Sequence, residues 1–156
     1  MKHPLPFIVS FHVDQQFIHK IDITPNKKAT FEWHITGTGE KKLHTQIEAW
    51  MEDFINKRTS KKMLPISLKG LPPFTTKVLL ELKKIPFGTT TTYQELASLV
   101  GNPKAARAVG NACARNPMLL VIPCHRVLGS NGLGGFSAGG IEVKKLLLTF
   151  EKRPLA

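Results

Sequence analysis

A cysteine stands between a proline and two basic residues at the end of an apolar run. The run covers residues 118–127, and its Cys124 is followed directly by His125 and Arg126. A thiol reacts as its thiolate, and neighbouring imidazole and guanidinium groups favour that charged form. A carboxylate must still orient the histidine, and Glu151 is the candidate because it flanks the apolar stripe of a predicted helix. The sequence predicts a reactive thiol that ends a strand.

Both cysteines also allow less reactive interpretations. A free cysteine is most often a small buried residue, and Cys113 fits that description on the apolar face of a predicted helix. A metal site made of Cys113, Cys124 and His125 lacks a fourth ligand and the short paired spacing of zinc motifs. A redox pair of the two cysteines lacks the CxxC spacing. We therefore expect no metal.

Two predicted helices precede the cysteine and meet at a short turn. Thr92 and Glu95 have the spacing of a capping box at a helix start. Gly101 can end this helix, Asn102 can cap the next one, and Pro103 suits its first turn. The pattern indicates a helix-turn-helix, with helices over 93–100 and 103–115. The second helix is rich in small residues, which suit close packing against either another helix or a nucleic-acid groove.

The charge of the chain favours the nucleic-acid alternative. The sequence has 22 basic and 11 acidic residues, a net charge of +11, so a polyanion is the expected partner. A merely solvated basic surface is the other interpretation. Arg107 is the long side chain that would project from the second helix toward a groove. The residues predicted to contact DNA are Asn102, Lys104, Ala106, Arg107, Gly110 and Arg115.

The first half of the chain has a different pattern. Alternating apolar residues over 5–13, 16–24 and 29–35 predict a three-stranded antiparallel meander, and a helix follows over 41–56. A polar and proline-containing stretch then resembles a linker. The second half is mostly helical, with further helices over 74–84 and 141–151. We predict an α+β protein with a support domain over 1–70 and a DNA-binding domain over 71–156.

Length and composition exclude several classes of protein. The chain has 156 residues and two cysteines, which is too few cysteines for a disulfide-stapled secreted domain. Its first apolar segment is shorter than the roughly 20 residues of a membrane span. The sequence lacks a phosphate-binding GxxxxGK[ST] motif, so no nucleotide cofactor is expected. We expect a soluble cytoplasmic protein, nuclear in a eukaryote, that works as a monomer without a cofactor.

Several motifs of the second half together resemble the O6-alkylguanine-DNA alkyltransferases, also called methylated-DNA-protein-cysteine methyltransferases. The resemblance is close over residues 74–151, whereas 1–70 share only the order of strands and helix. The motifs that carry it are Tyr93-Gln94-Glu95-Leu96-Ala97, the run from Gly101 to Gly110, Asn116-Pro117 and Ile122-Pro123-Cys124-His125-Arg126-Val127.

The resemblance implies a role for each matching residue. Cys124 would take the alkyl group from O6 of a guanine, or from O4 of a thymine, that is flipped out of double-stranded DNA. The protein would be consumed by this reaction. His125 would act as base through a water, oriented by Glu151. Arg107 would fill the gap left by the flipped base. The other implied roles are a brace for the cysteine turn at Asn116, a proton donor at Tyr93, and pocket walls at Pro123, Val127, Phe136 and Ser137.

Some features of the chain depart from relatives. Phe136 stands where many relatives have tyrosine, and Leu119 where some have proline. The glycine-rich stretch 129–140 is expected to pack as a pocket wall because it contains Leu133 and Phe136. Two rival functions are a non-catalytic lesion sensor, against which the thiol argues, and a helix-turn-helix regulator, against which the small apolar helix residues argue.

Overall fold

The computed structural model describes residues 5–28, 30–130, 132–134 and 140–152. It has the predicted α+β composition. The elements are β1 (Phe7–Val13), β2 (Ile18–Pro25), β3 (Glu32–Gly37), α1 (Lys41–Ile55), α2 (Pro73–Leu82), β4 (Thr91–Thr92), α3 (Tyr93–Leu99), α4 (Ala106–Ala114), a 3-10 turn (Cys124–Arg126), β5 (Val127–Leu128) and α5 (Gly140–Lys152).

The first three strands form one sheet, but its order differs from the predicted meander. β1 lies in the centre, with β2 antiparallel on one side and β3 parallel on the other. The three strand directions alternate along the chain as predicted, so the error is the position of β3. Because β3 runs in the same direction as β1, its pairing with β1 instead of β2 makes that pair parallel.

The connection after β2 explains this position. The backbone N–H of Asn26 donates to the Pro6 carbonyl oxygen at 2.7 Å, just before β1 begins. The Asn26 side-chain amide donates to the Thr30 carbonyl oxygen at 2.9 Å and closes the turn. The first bond extends the β1–β2 pairing by one residue, so the chain leaves β2 beside the start of β1 and reaches the far side of β1 before β3 begins. No residue pattern within the strands encodes such a crossing.

Helix α1 is amphipathic and covers the core. Leu43, Ile47, Met51 and Phe54 recur at helical spacing and are all buried. The helix ends with Lys57 in the left-handed region at φ 58°, where the Lys57 N–H donates to the Phe54 oxygen and the Arg58 N–H to the Asp53 oxygen. These two bonds form a Schellman motif. It turns the chain sharply and fixes the backbone at Arg58.

The two halves of the chain share one buried core. The edge strand β2 bonds to the second half through the Ile21 N–H, which donates to the Pro117 oxygen at 2.8 Å. Ile18 also forms a parallel bridge to Ile66 in the connecting segment. Buried apolar residues continue from β1 to α5 in a single cluster. The boundary near residue 70 stays a prediction.

The helix pair before the cysteine forms as predicted, with two local differences. The Thr92 hydroxyl accepts from the Glu95 N–H at 3.0 Å, but the Glu95 carboxylate accepts from the Thr91 hydroxyl instead of completing the capping box. Helix α4 begins at Ala106, three residues later than predicted, because residues 102–105 form a turn first. The Gln94 side chain donates to the Pro103 oxygen at 2.6 Å and fastens that turn to α3.

The apolar run before Cys124 is not a strand. Leu120 has φ 69° within consecutive turns, and Cys124 begins the 3-10 turn. The two residues of β5 pair with the parallel strand β4, and Met118 makes one isolated bridge to Ile21 of β2. The run is fully buried, so its apolar composition reflects burial and not an extended backbone. Among the described residues, no helix is long and apolar enough to cross a membrane.

Adjacent leucines of α2 provide a matched test of the packing. Leu79 is fully buried, whereas Leu80 is 49% exposed. We expect Leu79→Ala to lower the free energy of unfolding by about 3 kcal/mol, because it leaves a cavity in the core. Leu80→Ala should change it by less than about 0.5 kcal/mol. Urea denaturation followed by circular dichroism measures both, and equal losses would contradict the described packing of α2.

Candidate active site

Cys124 lies at the start of the 3-10 turn and is only 7% exposed. Its N–H donates to the Ile122 oxygen at 2.8 Å. The same oxygen accepts from the Asn116 side-chain amide at 2.7 Å, and the Asn116 amide oxygen accepts from the Met118 N–H at 2.9 Å. Asn116 therefore holds both ends of the turns that lead to the cysteine, as expected of a brace.

His125 and Arg126 both reach the carboxylate of Glu151 on α5. His125 Nε2 lies 2.8 Å from Glu151 Oε1. Arg126 donates from Nε to Oε2 at 2.9 Å and from Nη2 to Oε1 at 2.7 Å, and its Nη1 donates to the Ile85 oxygen at 2.8 Å. All three side chains are buried. The structure thus brings together the histidine and carboxylate that the sequence paired.

This contact assigns the imidazole tautomer. Burial raises the pKa of Glu151, but the hydrogen bonds from His125 and Arg126 lower it by more and hold that pKa at about 2. An ionised carboxylate can only accept, so the imidazole proton sits on Nε2. Burial lowers the pKa of His125, which keeps the ring neutral at pH 7. Nδ1 then carries a lone pair that can take a proton.

The resting state of the thiol differs from the sequence prediction. Burial raises the pKa of Cys124, while the Asn116 side chain and the charge of Lys144 lower it in part. Arg126 was expected to favour the thiolate, but its guanidinium is occupied by Glu151 and the Ile85 oxygen. Cys124 is therefore a protonated thiol at rest, and a base must remove its proton. The second thiol, Cys113, is buried with its pKa raised by burial to about 12.

Lys144 is a residue of the site that the sequence analysis missed. Its side chain is fully buried, and Nζ donates to the Val127 oxygen at 2.6 Å. Nζ also lies 5.9 Å from the centroid of the Tyr93 ring. Burial lowers the pKa of Lys144, and the two thiols oppose that change. Its spacing of seven residues from Glu151 places both on one face of α5, and this signal was available in the sequence.

Tyr93 lies half-buried at the start of α3, beside a recess of about 310 Å³. Burial raises its pKa, so the phenol keeps its proton. Gly134, at φ 72°, comes so close to the Tyr93 ring that an added Cβ would lie 3.1 Å from Cε2. An added Cβ at Gly110 would meet the same ring at an ordinary 3.9 Å. Close backbone approach to Tyr93 is thus required at Gly134 rather than at Gly110.

The predicted DNA-contacting residues lie on α4 and at its two ends. Ala106 and Gly110 are half-buried, and the remaining four, Asn102, Lys104, Arg107 and Arg115, are exposed. The opposite face of α4 is buried through Val109, Ala112 and Cys113. Arg107 has no ion-pair partner in the described part of the chain. The exposed side of α4 is therefore basic and has little bulk besides Arg107.

The remaining predicted wall residues are only partly described. Pro123 and Val127 are buried next to the cysteine turn, and Leu133 is half-buried. Phe136 and Ser137 lie outside the described residues. The described histidines, cysteines and acidic residues form no group of three that could hold a metal ion. His12 and His19 instead contact single carboxylates, those of Asp22 and Asp14.

Residues 73–153 match the family described as 6-O-methylguanine DNA methyltransferase, DNA binding domain. A probable methylated-DNA–protein-cysteine methyltransferase of Acanthamoeba polyphaga mimivirus is 51% identical, over 71% of this chain and 68% of its own length. The methylated-DNA–protein-cysteine methyltransferase of Mus musculus is 45% identical, over 70% of this chain and 55% of its own length. The chain thus spans little more than half of the mouse protein.

Solved structures agree with these sequence matches. The Mycobacterium tuberculosis protein OGT, in a complex with DNA, superposes with a TM-score of 0.69 and is 26% identical, over 93% of this chain and 92% of the other. An O6-methylguanine-DNA methyltransferase from Pyrococcus kodakaraensis superposes with a TM-score of 0.58 at 26% identity, over 93% of this chain and 98% of the other. The likeness includes the N-terminal sheet, which the sequence motifs do not reach. The chain therefore belongs to the 6-O-methylguanine DNA methyltransferase family.

Proposed function

We propose that this protein repairs DNA by moving an alkyl group from O6 of guanine to the sulfur of Cys124. One observation carries the proposal: a buried cysteine lies directly before a histidine whose Nε2 is bonded to a buried carboxylate, in a chain of this family. The substrate is double-stranded DNA that carries O6-alkylguanine, and the protein acts on it as a monomer. The same chemistry would extend to O4-alkylthymine.

The bond changes follow from the tautomer of His125. Nδ1 takes the thiol proton of Cys124 through a bridging water, and the developing imidazolium is stabilised by the Glu151 carboxylate. The sulfur then attacks the alkyl carbon, forming an S–C bond as the O6–C bond breaks. The electron pair of the broken bond stays on the guanine. Because Lys144 is a buried cation beside the cysteine turn, it favours the thiolate during this step.

The leaving guanine needs a proton because it keeps the electron pair of the broken O6–C bond. Tyr93 retains its phenolic proton because burial raises its pKa, and it borders the recess beside α4. It is therefore the proposed donor. Lys144 Nζ, 5.9 Å from the ring centroid, would stabilise negative charge that develops on the phenol oxygen. Asn116 acts through the turn it holds and is a positioning residue.

Access to a buried sulfur requires that the damaged nucleotide leave the base stack. Extrusion costs a few kcal/mol, and protein contacts must offset that cost. Helix α4 presents small side chains that allow close approach, and Arg107 is the long exposed side chain that can occupy the vacated space. The lesion pair is weaker than an intact pair, so its extrusion is favoured.

The reaction consumes the protein. A thioether is a poor leaving group, and no described residue beside Cys124 offers a second nucleophile of low pKa, since burial raises that of Cys113 to about 12. One molecule therefore repairs one lesion.

The first prediction compares the two cysteines. Cys124→Ser should abolish methyl uptake from duplex DNA that carries O6-methylguanine, while Cys113→Ser should retain it, because only Cys124 is joined to the histidine turn. Mass spectrometry of the cysteine-containing peptides measures the gain of one methyl group. Binding without methylation of the wild-type protein would instead identify a lesion sensor, and methyl uptake by Cys124→Ser would place the acceptor elsewhere.

The second prediction concerns base extrusion. Arg107→Ala should slow repair of duplex DNA by about tenfold, or about 1.4 kcal/mol, because extrusion loses its offset. Its reaction with free O6-benzylguanine should stay near the wild-type rate, since a free base needs no extrusion. Lys20→Ala removes a positive charge from β2 and serves as the control. Equal slowing of both reactions by Arg107→Ala would contradict the proposed role.

The third prediction concerns the buried carboxylate. Glu151→Gln leaves the Arg126 guanidinium buried without a counter-charge, so we expect a loss of about 3–5 kcal/mol in the free energy of unfolding at pH 7. Glu142→Gln on the same helix alters an exposed side chain and should cost little. Urea denaturation of the wild-type protein and both variants measures the difference.

The pH dependence of that loss has a definite sign. The native pKa of Glu151 is about 2 against an ordinary 4.5, so its stabilising effect is complete above pH 4.5 and disappears as the pH falls toward 2. The stability gap between wild type and Glu151→Gln should therefore narrow over that interval. A gap that stays constant would show that the carboxylate charge is not what stabilises the fold.

A further inference from the structure

A second cleft lies apart from the recess at Tyr93. It has a volume of about 220 Å³ and is enclosed by the end of α1, the segment 58–64, the segment after α2 and the turn before Cys124. No residue of α3 or α4 lines it. The cleft is therefore separate from the surface of α4 on which DNA would bind.

The charge of the cleft is strongly one-sided. Arg58, Lys62 and Lys83 line it, and no carboxylate of the described residues does. Arg126 also lines the cleft, but its charge is balanced by Glu151. Lys62 and Lys83 have no carboxylate within 4 Å in the parts of the chain described. Arg58 makes one long ion pair of 3.6 Å with Asp53, through Nε, on a side chain that is 65% exposed. Three cations around one small space favour a multiply charged anion such as phosphate.

Backbone hydrogen bonds fix the chain at each of these three cations. The Schellman motif at the end of α1 sets the direction of the chain at Arg58. Lys62 follows a turn in which its N–H donates to the Ser60 hydroxyl at 3.3 Å. Lys83 is the cap residue of α2, held by a bond from its N–H to the Leu79 oxygen. Three separate elements therefore converge on the same cleft.

The other walls are aromatic and apolar. Trp50 is partly exposed in the cleft, with Phe54 stacked on its ring at 5.8 Å and 9°. Phe87 lines the opposite segment. Met63 also borders the cleft although it is 77% exposed. Aromatic rings bind nucleobases by stacking, and an exposed methionine gains from being covered by a flat ligand.

We propose that this cleft binds a nucleoside phosphate, with the base against Trp50 and the phosphate between Lys62, Lys83 and Arg58. A volume of about 220 Å³ fits the base and leaves the charged group at the rim, where the two lysines and Arg58 are accessible. The ligand is either a free nucleotide or the phosphorylated end of a DNA strand. This proposal does not rest on the proposed repair function.

Trp50 provides a direct readout of binding. The chain has two tryptophans, so Trp33→Phe leaves Trp50 as the single indole reporter. In that background we expect AMP to quench the fluorescence saturably, whereas adenosine should bind at least about tenfold more weakly because the phosphate contacts are lost. Calorimetric titration of AMP into the wild-type protein provides the same measurement without the tryptophan change.

Matched lysine pairs decide whether the cleft is responsible. Lys62→Ala/Lys83→Ala should weaken AMP binding at least about tenfold. Lys61→Ala/Lys84→Ala removes the same charge from residues outside the cleft, Lys84 being paired with Glu81 at 3.1 Å, and should bind AMP like the parent. Equal weakening by both pairs, or quenching that does not saturate, would overturn the proposal.

Competition separates the two sources of ligand. If a trinucleotide with a 5′-phosphate displaces AMP and its unphosphorylated form does not, the site accepts a strand end. If neither trinucleotide displaces AMP, the ligand is a free nucleotide. Methyl uptake by the Lys62→Ala/Lys83→Ala variant, measured separately, distinguishes this site from the repair reaction, because neither lysine touches Cys124 or its partners.

Discussion

The carboxylate of Glu151 is shared by a histidine and an arginine in a region that water hardly reaches. Burying one charge is costly, and burying a carboxylate with a guanidinium is tolerated only when the geometry satisfies both groups. Arg126 meets this condition with two nitrogens on the carboxylate and a third on the Ile85 oxygen. The ionised carboxylate in turn fixes the proton of His125 on Nε2. The tautomer that the proposed reaction requires is thus a consequence of a structural ion pair.

The same pair connects parts of the chain that are distant in sequence. Glu151 is on α5, Arg126 follows the cysteine directly, and Ile85 follows α2. On the other side of the cysteine, the turn held by Asn116 also connects distant parts of the chain. The edge strand β2 bonds to this turn through the Ile21 N–H and the Pro117 oxygen. The N-terminal sheet contains none of the residues to which a role in the reaction is proposed, yet it supports the turn that leads to the cysteine.

Much of the site could be predicted from the sequence because its chemistry is local. Cys124 and His125 are neighbours, and Glu151 is marked by a charge on the flank of an apolar helix. Lys144 was missed because its partner is a backbone oxygen, that of Val127, although its place on the same face of α5 as Glu151 could have marked it. The protonated state of the thiol was missed because burial, which raises its pKa, depends on the packed structure and not on the two basic neighbours.

The errors in the fold have the same origin. The alternation of apolar residues correctly predicts the strands of the sheet, but the side of β1 on which β3 lies is decided by bonds in the connection at Asn26. The run before Cys124 is apolar because it is buried, and periodicity cannot tell a buried turn from a buried strand. Helix α4 begins late because a turn bonded by Gln94 takes the residues that were assigned to its first turn.

The short ladder of β4 and β5 has a consequence for how the pocket can adapt. It pairs Thr91 with Val127 and Thr92 with Leu128. The strand that leads into Tyr93 and the strand that leaves the cysteine turn are therefore paired along their whole length. Neither can shift without the other. In the proposed reaction, alkyl groups of different bulk would therefore be accommodated by the stretch after β5, where Gly132 and Gly134 have backbone angles that few other residues adopt. Under the proposed function, these glycines would set which alkyl groups the pocket admits, and the two pairs of strand residues would keep Tyr93 and the cysteine turn in register.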